Sequence, residues 1–247
     1  MSKHLGLIVP PAAGLVPPDA AIVYPGQSFL AEGLGLGEMT NRGYDSVIAS
    51  VGAAARRLAE RGAQVIALMG TSLSFYRGPD FNAALEQEIA DSSGLPALTM
   101  SSAILDAISH LGVRRLAVAT AYRDEVNDAL LRFLEAAGLE ALSLEHLGIA
   151  SIDEVHAVGE DEVTELAQRA LAAAPDAEAV LISCGGLATR AAVRTIETDA
   201  GIPVISSPLA GLWATMHAAS GPLGSFGLQP MSCERASATT CARITSN

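Results

Sequence analysis

Cys184 is the residue of this chain with the clearest potential for chemistry. It stands in the stretch "VLISCGGLATR", after an apolar run and directly before Gly185 and Gly186. Glycines allow a ligand to approach the backbone closely, so a ligand could bind beside the thiol. As a thiolate, which the start of a helix would favour, Cys184 would be a base or a nucleophile. As a thiol, Cys184 would be an acid that delivers one proton to carbon. The remaining alternative is that Cys184 is a small buried hydrophobic residue without a chemical role.

Hydroxyl groups and backbone amides accompany the thiol. Thr71 and Ser72 follow the apolar run "IALMG", and Tyr122 ends the run "VRRLAVATAY". Backbone N–H groups at the start of a helix bind anions without any basic side chain. This set of donors suits a carboxylate, or an enolate that develops from one. Removal of one such donor costs about 3–4 kcal/mol of transition-state stabilisation.

The composition argues against several other classes of function. Lys3 is the only lysine, so a Schiff-base mechanism, which needs a buried lysine, is nearly excluded. The histidines are scattered, which predicts surface or helix-face positions rather than a zinc site. Neither a phosphate loop nor a dinucleotide fingerprint is present, and we expect no cofactor and no metal. The five histidines are His4, His110, His146, His156 and His217.

Charge and hydropathy predict a soluble, cytoplasmic protein. Half of the 247 residues are hydrophobic, which is enough for one large core or two small ones. The net charge of −12 argues against nucleic acid or an anionic membrane as a partner. No stretch has the length of a membrane span or the pattern of a signal peptide. Three cysteines without paired spacing indicate a reducing compartment, and the lack of a long apolar face predicts a monomer.

Short apolar runs alternate with alanine-rich segments of helical period, which is typical of parallel α/β sheets. Strands are predicted at 5–11, 63–70, 96–100, 113–122, 177–186 and 202–207. Helices are predicted at 44–62, 80–94, 101–112, 124–138 and 160–175. The order of the first half returns in the second, where "LISCGGLAT" matches "IALMGTSLS". We therefore expect an α/β fold of two similar Rossmann-like domains, related by a pseudo-twofold axis.

The expected first domain comprises residues 1–112 and about 208–230, because "AGLWATMHAAS" would return as a helix to pack on it. The second comprises residues 113–207. Residues from about 231 to 247, with Cys233 and Cys241, are expected to form a mobile tail without an assigned role. Ligands bind beyond the carboxyl ends of parallel strands, so loops of both domains should meet at one cleft. These loops are 10–14, 70–74, 120–122 and 183–187.

Four motifs closely resemble the arylmalonate decarboxylase family of the aspartate/glutamate racemase superfamily. They are "IVPPAAGLVPP" (8–18), "MGTSLSFYRG" (69–78), "VRRLAVATAY" (113–122) and "LISCGGL" (181–187). The resemblance spans residues 5 to about 215 and implies two α/β domains with the site between them. Racemases and maleate isomerases of the superfamily use two cysteines, which would stand at Gly70 and Cys184. Because the first is glycine here, the resemblance implies a decarboxylase with a single acid.

The resemblance also implies a mechanism for a small dicarboxylate substrate, a disubstituted (aryl)malonate. Cys184, as a thiol, would protonate an enediolate on one face and give a chiral monocarboxylic acid without a cofactor. The implied carboxylate-binding residues are Thr71, Ser72, Tyr122 and Gly185, with the amide of Cys184. The other carboxylate would lie in an apolar pocket of Leu36, Met39, Ile152 and Val155. The implied wall around the substituents is Pro10, Pro11, Gly14 and Gly70.

Two alternatives stay open at this stage. A cysteine-dependent racemase or isomerase of small carboxylates, similar to maleate isomerase, would recruit another group for the second face. It would exchange the α-hydrogen of a product acid in deuterated water. A non-catalytic carboxylate-binding protein would keep the cleft and would bind its ligand equally well after Cys184→Ser.

Overall fold

Two parallel sheets of four strands each form the protein in the computed structural model, which describes residues 4–220. The first sheet, in the order β2-β1-β3-β4, contains β1 (His4–Val9), β2 (Ser28–Gly33), β3 (Ala63–Leu68) and β4 (Ala97–Thr99). The second, in the order β6-β5-β7-β8, contains β5 (Arg115–Thr120), β6 (Glu140–His146), β7 (Ala179–Ser183) and β8 (Val204–Ser206). The equivalent order of strands confirms the predicted α/β class with two similar halves.

Helices connect the strands and flank both sheets. Those of the first half are α1 (Pro18–Val23), α2 (Asn41–Val47), α3 (Val51–Glu60), α4 (Thr71–Phe75), α5 (Pro79–Ser93) and α6 (Met100–Leu111). Those that follow are α7 (Asp124–Ala136), α8 (Ile152–His156), α9 (Glu160–Ala172), α10 (Arg190–Asp199) and α11 (Ser207–Ser220). Within residues 4–220, none of these helices has both the length and the apolarity to cross a membrane.

Two edge strands were missing from the sequence prediction. β2 pairs with β1 and β6 pairs with β5, each in parallel register. The residues of β2 are all half-buried, and those of β6 are half-buried or exposed. An edge strand therefore lacks the continuous apolar run that identifies a strand buried on both faces.

The predicted helix at 44–62 is divided into α2, a 3-10 turn (Ile48–Ser50) and α3. The apolar stripe expected for it is nevertheless correct, because Val47, Val51, Ala55 and Leu58 are all buried. The break lies where the chain turns out of α2, and the amphipathic period resumes in α3. Gly62 follows with a φ of 89°, a conformation that glycine adopts readily.

The helix α11 connects the two halves. It follows β8 of the second sheet directly and packs against α6 and β3 of the first half. Its residues Ser207 to Thr215 are buried, in agreement with its apolar composition. The expected tail with Cys233 and Cys241 lies outside the described residues.

Main-chain hydrogen bonds also join the two halves beside the cleft. The N–H of Met39 donates to the carbonyl of Ala150 at 2.7 Å, and the N–H of Ile152 donates to the carbonyl of Gly37 at 3.0 Å. These bonds hold the segment before α8 against the segment before α2. The position of α8 is therefore fixed by the first half of the chain.

Candidate active site

A cavity of about 570 Å³ opens where the carboxyl ends of both sheets meet. Its walls are built from residues that follow β1, β3, β5 and β7, as ligand sites of parallel sheets are. The predicted site residues that line it are Pro10, Pro11, Leu36, Met39, Gly70, Thr71, Ser72, Tyr122, Ile152, Val155, Cys184 and Gly185. The cleft geometry thus brings together side chains from both halves.

Gly14 is the one predicted site residue that does not line this cavity among the described residues. Its φ is +59°, and a Cβ atom there would lie 2.9 Å from the main-chain nitrogen of Gly33. Only glycine fits such a left-handed turn packed against the end of β2. Gly14 therefore shapes the loop behind the wall.

Cys184 is the first residue after β7, and its side chain is almost fully buried. Burial raises the pKa of its thiol to about 11, while the N–H of Gly186, the hydroxyl of Tyr122 and the N–H of Leu187 lower it in part. Burial penalises the charged form, so the thiol is the species at neutral pH. This environment favours an acid over a nucleophilic thiolate.

Thr71 and Ser72 are the first residues of α4, directly after β3 and Gly70. The hydroxyl of Thr71 donates to the sulfur of Met100 at 2.8 Å. A thioether is a weak acceptor, so an anionic ligand would be the better partner for this hydroxyl. Both side chains are nearly buried, which strengthens any hydrogen bond that they make to a carboxylate.

Ser74 of α4 is fully buried and does not line the cavity. Its buried hydroxyl lies 2.6 Å from that of Ser101 and donates to the carbonyl of Thr71 at 2.9 Å. The hydroxyl of Ser101 donates to the same carbonyl at 3.0 Å. These bonds fix the start of α4 and so position the hydroxyls that face the cavity.

Tyr122 is fully buried in the second half and contacts the first. Its ring lies 5.9 Å, centroid to centroid, from Phe75 of α4 in an edge-to-face arrangement. Its hydroxyl is 3.4 Å from that of Ser183. Burial raises the pKa of Tyr122 well above its ordinary value, and the nearby Cys184 raises it further. Tyr122 is therefore a neutral phenol that can donate a hydrogen bond to an anion.

Tyr44 is a residue of the site region that the sequence did not indicate. Its hydroxyl is buried and lacks a hydrogen-bond partner among the described residues. Burial raises the pKa of this hydroxyl, and an interaction with Ser72 offsets the rise in part. An aromatic residue within a short helix carries no sequence signal of such a position.

The glycines after Cys184 serve packing as well as ligand access. A Cβ atom on Gly185 would lie 3.2 Å from the sulfur of Met100 and 3.2 Å from the carbonyl oxygen of Met69. A Cβ atom on Gly186 would lie 2.9 Å from Cγ1 of Val155. The second contact lets α8 pack directly on the end of β7, so the apolar pocket depends on this glycine.

The structure places His156 on the surface, at the end of a helix, as predicted. Its side chain is exposed, as expected, but it also lines the cavity at the end of α8. The proximity arises from packing between α8 and the end of β7, which lie about thirty residues apart in sequence and carry no common local pattern. Within residues 4–220, no group of three or more histidine, cysteine or acidic residues is placed to hold a metal ion.

Two equivalent parallel sheets, with a buried thiol at one strand end and hydroxyls at another, define an α/β protein with a small-molecule site between its two halves. The chain belongs to the arylmalonate decarboxylase family, whose model matches residues 5–228. An arylmalonate decarboxylase from Bordetella bronchiseptica is 50% identical over 217 residues, which cover 88% of this chain and 90% of that protein. The predicted family, a family of carbon–carbon lyases, is confirmed.

Solved structures agree with this assignment. A double mutant of arylmalonate decarboxylase in a liganded form matches with a TM-score of 0.87 and 48% identity, covering 90% of this chain and 94% of that one. The maleate cis-trans isomerase of Nocardia farcinica bound to Tris matches with a TM-score of 0.81 and 20% identity, covering 94% of this chain and 98% of that one. The second likeness shows the shared fold.

Proposed function

We propose that this protein decarboxylates a disubstituted (aryl)malonate, without a cofactor, to a chiral monocarboxylic acid. The observation that carries the proposal is the buried Cys184, whose pKa of about 11 keeps it a thiol beside the donors Thr71, Ser72 and Tyr122. A protonated thiol in a pocket of uncharged donors suits a reaction that forms an anion and then protonates it.

One carboxylate of the substrate is held by the hydroxyls of Thr71, Ser72 and Tyr122 and by the amides of Cys184 and Gly185. These donors are fixed before the substrate arrives, since the start of α4 is held by Ser74 and Ser101 and Tyr122 is packed on Phe75. Preorganised donors stabilise the charge that develops on this carboxylate as it becomes an enediolate. They need no basic side chain for this purpose.

The other carboxylate lies against Leu36, Met39, Ile152 and Val155, of which only Ile152 is more than slightly exposed. An anion beside hydrocarbon loses its hydration without gaining partners, which is costly. When its bond to the α-carbon breaks, the electron pair moves to the enediolate and neutral CO2 leaves. The apolar pocket therefore destabilises the substrate relative to the transition state.

Cys184 then transfers its proton to the α-carbon, and the thiolate recovers a proton from water after the product departs. Gly70, at the position of the superfamily's other cysteine, has no side chain to protonate the opposite face. One acid on one face gives one enantiomer. The same asymmetry argues against two-base racemisation or isomerisation.

We further propose that the substrate is the only partner needed for activity. The net charge of −12 supports a protein that does not bind nucleic acid or anionic membranes, and we propose that it is a cytoplasmic monomer. The described part of the chain presents only two large, strongly exposed apolar side chains, Leu15 and Ile22. Two isolated residues do not make the apolar surface that an obligate assembly needs.

The test is release of CO2 from α-methyl-α-phenylmalonate by purified protein without added cofactor, together with the chirality of the product. We expect a single enantiomer from the parent and a loss of about 10²- to 10⁴-fold in kcat for Cys184→Ser, because general acid catalysis contributes that much. Cys233→Ser is the matched control and should retain activity.

Other outcomes would identify the alternatives. Exchange of the α-hydrogen of a product acid in deuterated water, without CO2 release from malonates, would indicate a racemase or isomerase. Carboxylate binding that is equal in parent and Cys184→Ser, with no turnover of either, would indicate a binding protein.

A further inference from the structure

His156 is a cavity residue that the proposed mechanism does not use. Its ring lies against the main chain two residues after Cys184: a Cβ atom on Gly186 would be 3.2 Å from its Cδ2 and 3.3 Å from its Nε2. The neighbouring Val155 is buried, whereas His156 is exposed. The imidazole therefore stands at the mouth of the cavity, outside the apolar pocket.

The backbone that carries His156 is held from several sides. The hydroxyl of Ser151 accepts from the N–H of Glu154 at 3.4 Å and so caps the start of α8. The N–H of Ile152 donates to the carbonyl of Gly37 at 3.0 Å. Since Val155 packs on Gly186, α8 is fixed on the first half of the chain and on the end of β7. The main chain at His156 therefore has a fixed position beside the cavity.

The imidazole makes no hydrogen bond or ion pair with the other described residues. Among the described residues that line the cavity, His156 is the only histidine, lysine or arginine, and the carboxylates there are Asp19 and Asp153. A neutral imidazole has one donor and one acceptor nitrogen. Its hydrogen-bonding capacity is thus available to a ligand in the cavity.

Neither carboxylate of the substrate is a suitable partner for this ring. The carboxylate that remains already has the donors Thr71, Ser72 and Tyr122. A donor to the departing carboxylate would stabilise the ground state and raise the barrier to CO2 loss. The remaining part of the substrate is its larger substituent, for which a cavity of about 570 Å³ has room beyond the malonate group.

We propose that His156 determines specificity within the proposed decarboxylation, by hydrogen bonding to a polar group on the larger substituent. The substrate class is an arylmalonate whose ring carries a hydroxyl or a similar group. A hydroxyl can donate or accept, so it fits either nitrogen of the imidazole. This inference rests on the proposed function and adds to it the polarity of the substituent.

The experiment compares kcat/KM for α-methyl-α-phenylmalonate with that for its ortho-, meta- and para-hydroxyphenyl counterparts. We expect the parent to prefer at least one hydroxylated substrate by about two- to tenfold, the effect of one neutral hydrogen bond. In His156→Ala this preference should disappear, and in His156→Gln it should persist in part, because an amide also donates and accepts.

The matched control is His146→Ala. His146 lies 3.3 Å from Asp124 at the end of β6 and is not part of the cavity wall, so its removal should leave the preference unchanged. The inference is overturned if the parent shows no preference, or if His156→Ala retains it. It is also overturned if Asp19→Asn or Asp153→Asn, and not His156→Ala, removes the preference. Failure of all four malonates to release CO2 would refute the proposed function, and this inference with it.

Discussion

The chain leaves β3 as Met69, Gly70 and Thr71 and leaves β7 as Cys184, Gly185 and Gly186. The two strands occupy equivalent places, each the third strand of a sheet with the same order. Leu68 pairs with the end of β1 and Ser183 with the end of β5. Equivalent strand ends therefore carry different chemical groups, two hydroxyls in one half and a thiol in the other.

This difference shows how a symmetric fold can support an asymmetric reaction. The parallel topology places both strand ends at one cavity, whatever residues they carry. In the proposed reaction, the first half supplies the hydroxyls of Thr71 and Ser72, and the second supplies the hydroxyl of Tyr122, two amides and the acid. If Cys184 is the acid, as we propose, it stands on one side only and would deliver a proton to one face of the substrate.

The largest expected effect comes from exchanging the acid between the halves with Gly70→Cys and Cys184→Ser together. A Cβ atom at Gly70 would lie 3.2 Å from Cβ of Leu73 and 3.2 Å from Cγ of Pro10, so these neighbours must yield by a few tenths of an ångström. The new thiol would protonate the opposite face. We expect the product of α-methyl-α-phenylmalonate to change handedness, as measured by chiral chromatography.

The single variant Cys184→Ser is the control for this exchange, because any residual product from it comes without the new thiol. A double variant that gives the original enantiomer would contradict the assignment of one acid position to each half. A racemic product would show that solvent, and not a thiol, protonates the enediolate.

The next effect concerns the hydroxyls of the first half. Thr71→Val keeps the shape of the side chain but removes its hydroxyl donor, and Ser72→Ala removes the hydroxyl donor of Ser72. We expect each to lower kcat by about 10²- to 10³-fold, the usual effect of deleting one oxyanion donor. Steady-state rates of CO2 release measure this change.

Thr189→Val is the matched control for these two variants. Thr189 is equally buried, and its hydroxyl donates to that of Ser206 at 2.9 Å, but it does not line the cavity. Its loss should lower the free energy of unfolding without a comparable loss of kcat. If Thr189→Val reduces kcat as strongly as Thr71→Val, the hydroxyls of the first half act through stability and not through the substrate.

The central strands and their ends could be predicted from sequence because burial on both faces produces continuous apolar runs. β2 and β6 could not, since a half-exposed edge strand lacks that run. Site residues that directly follow central strands, such as Thr71 and Cys184, could be predicted because the ends of those strands could be predicted. His156 stands on a short helix that reaches the cavity through packing on the end of β7, and no local pattern encodes that proximity. Tyr44 stands on another short helix, and its proximity to Ser72 likewise has no local sequence signal.

A smaller effect follows from the pKa of Cys184, the group that distinguishes the second half. Burial raises this pKa to about 11 from an ordinary value of 9.0, so the active thiol persists through neutral and mildly alkaline pH. We expect kcat to be constant between about pH 7 and 9 and to fall by half near pH 11, where half of the thiol is ionised.

Alkylation by iodoacetamide in a Cys233→Ser, Cys241→Ser background reports the same ionisation, because Cys184 is then the only thiol. Its rate should rise with pH and reach half of its maximum near pH 11. Fast alkylation at neutral pH would show a thiolate, and would exclude a thiol acid in the second half.

The smallest effect concerns the buried hydroxyl of Tyr44 in the first half. Because it has no partner among the described residues, Tyr44→Phe should raise the free energy of unfolding by about 1 kcal/mol, at the lower end of the cost of an unsatisfied polar group. Tyr76 is the matched control, since its ring lies 4.9 Å from that of Tyr44 and its hydroxyl donates to Asp45 at 2.8 Å. Tyr76→Phe should therefore lower the free energy of unfolding, and urea denaturation of both variants measures the contrast. A loss of stability in Tyr44→Phe would mean that the hydroxyl of Tyr44 is bonded to Ser72. Tyr44 would then belong, with Thr71 and Ser72, to the hydroxyl donors of the first half.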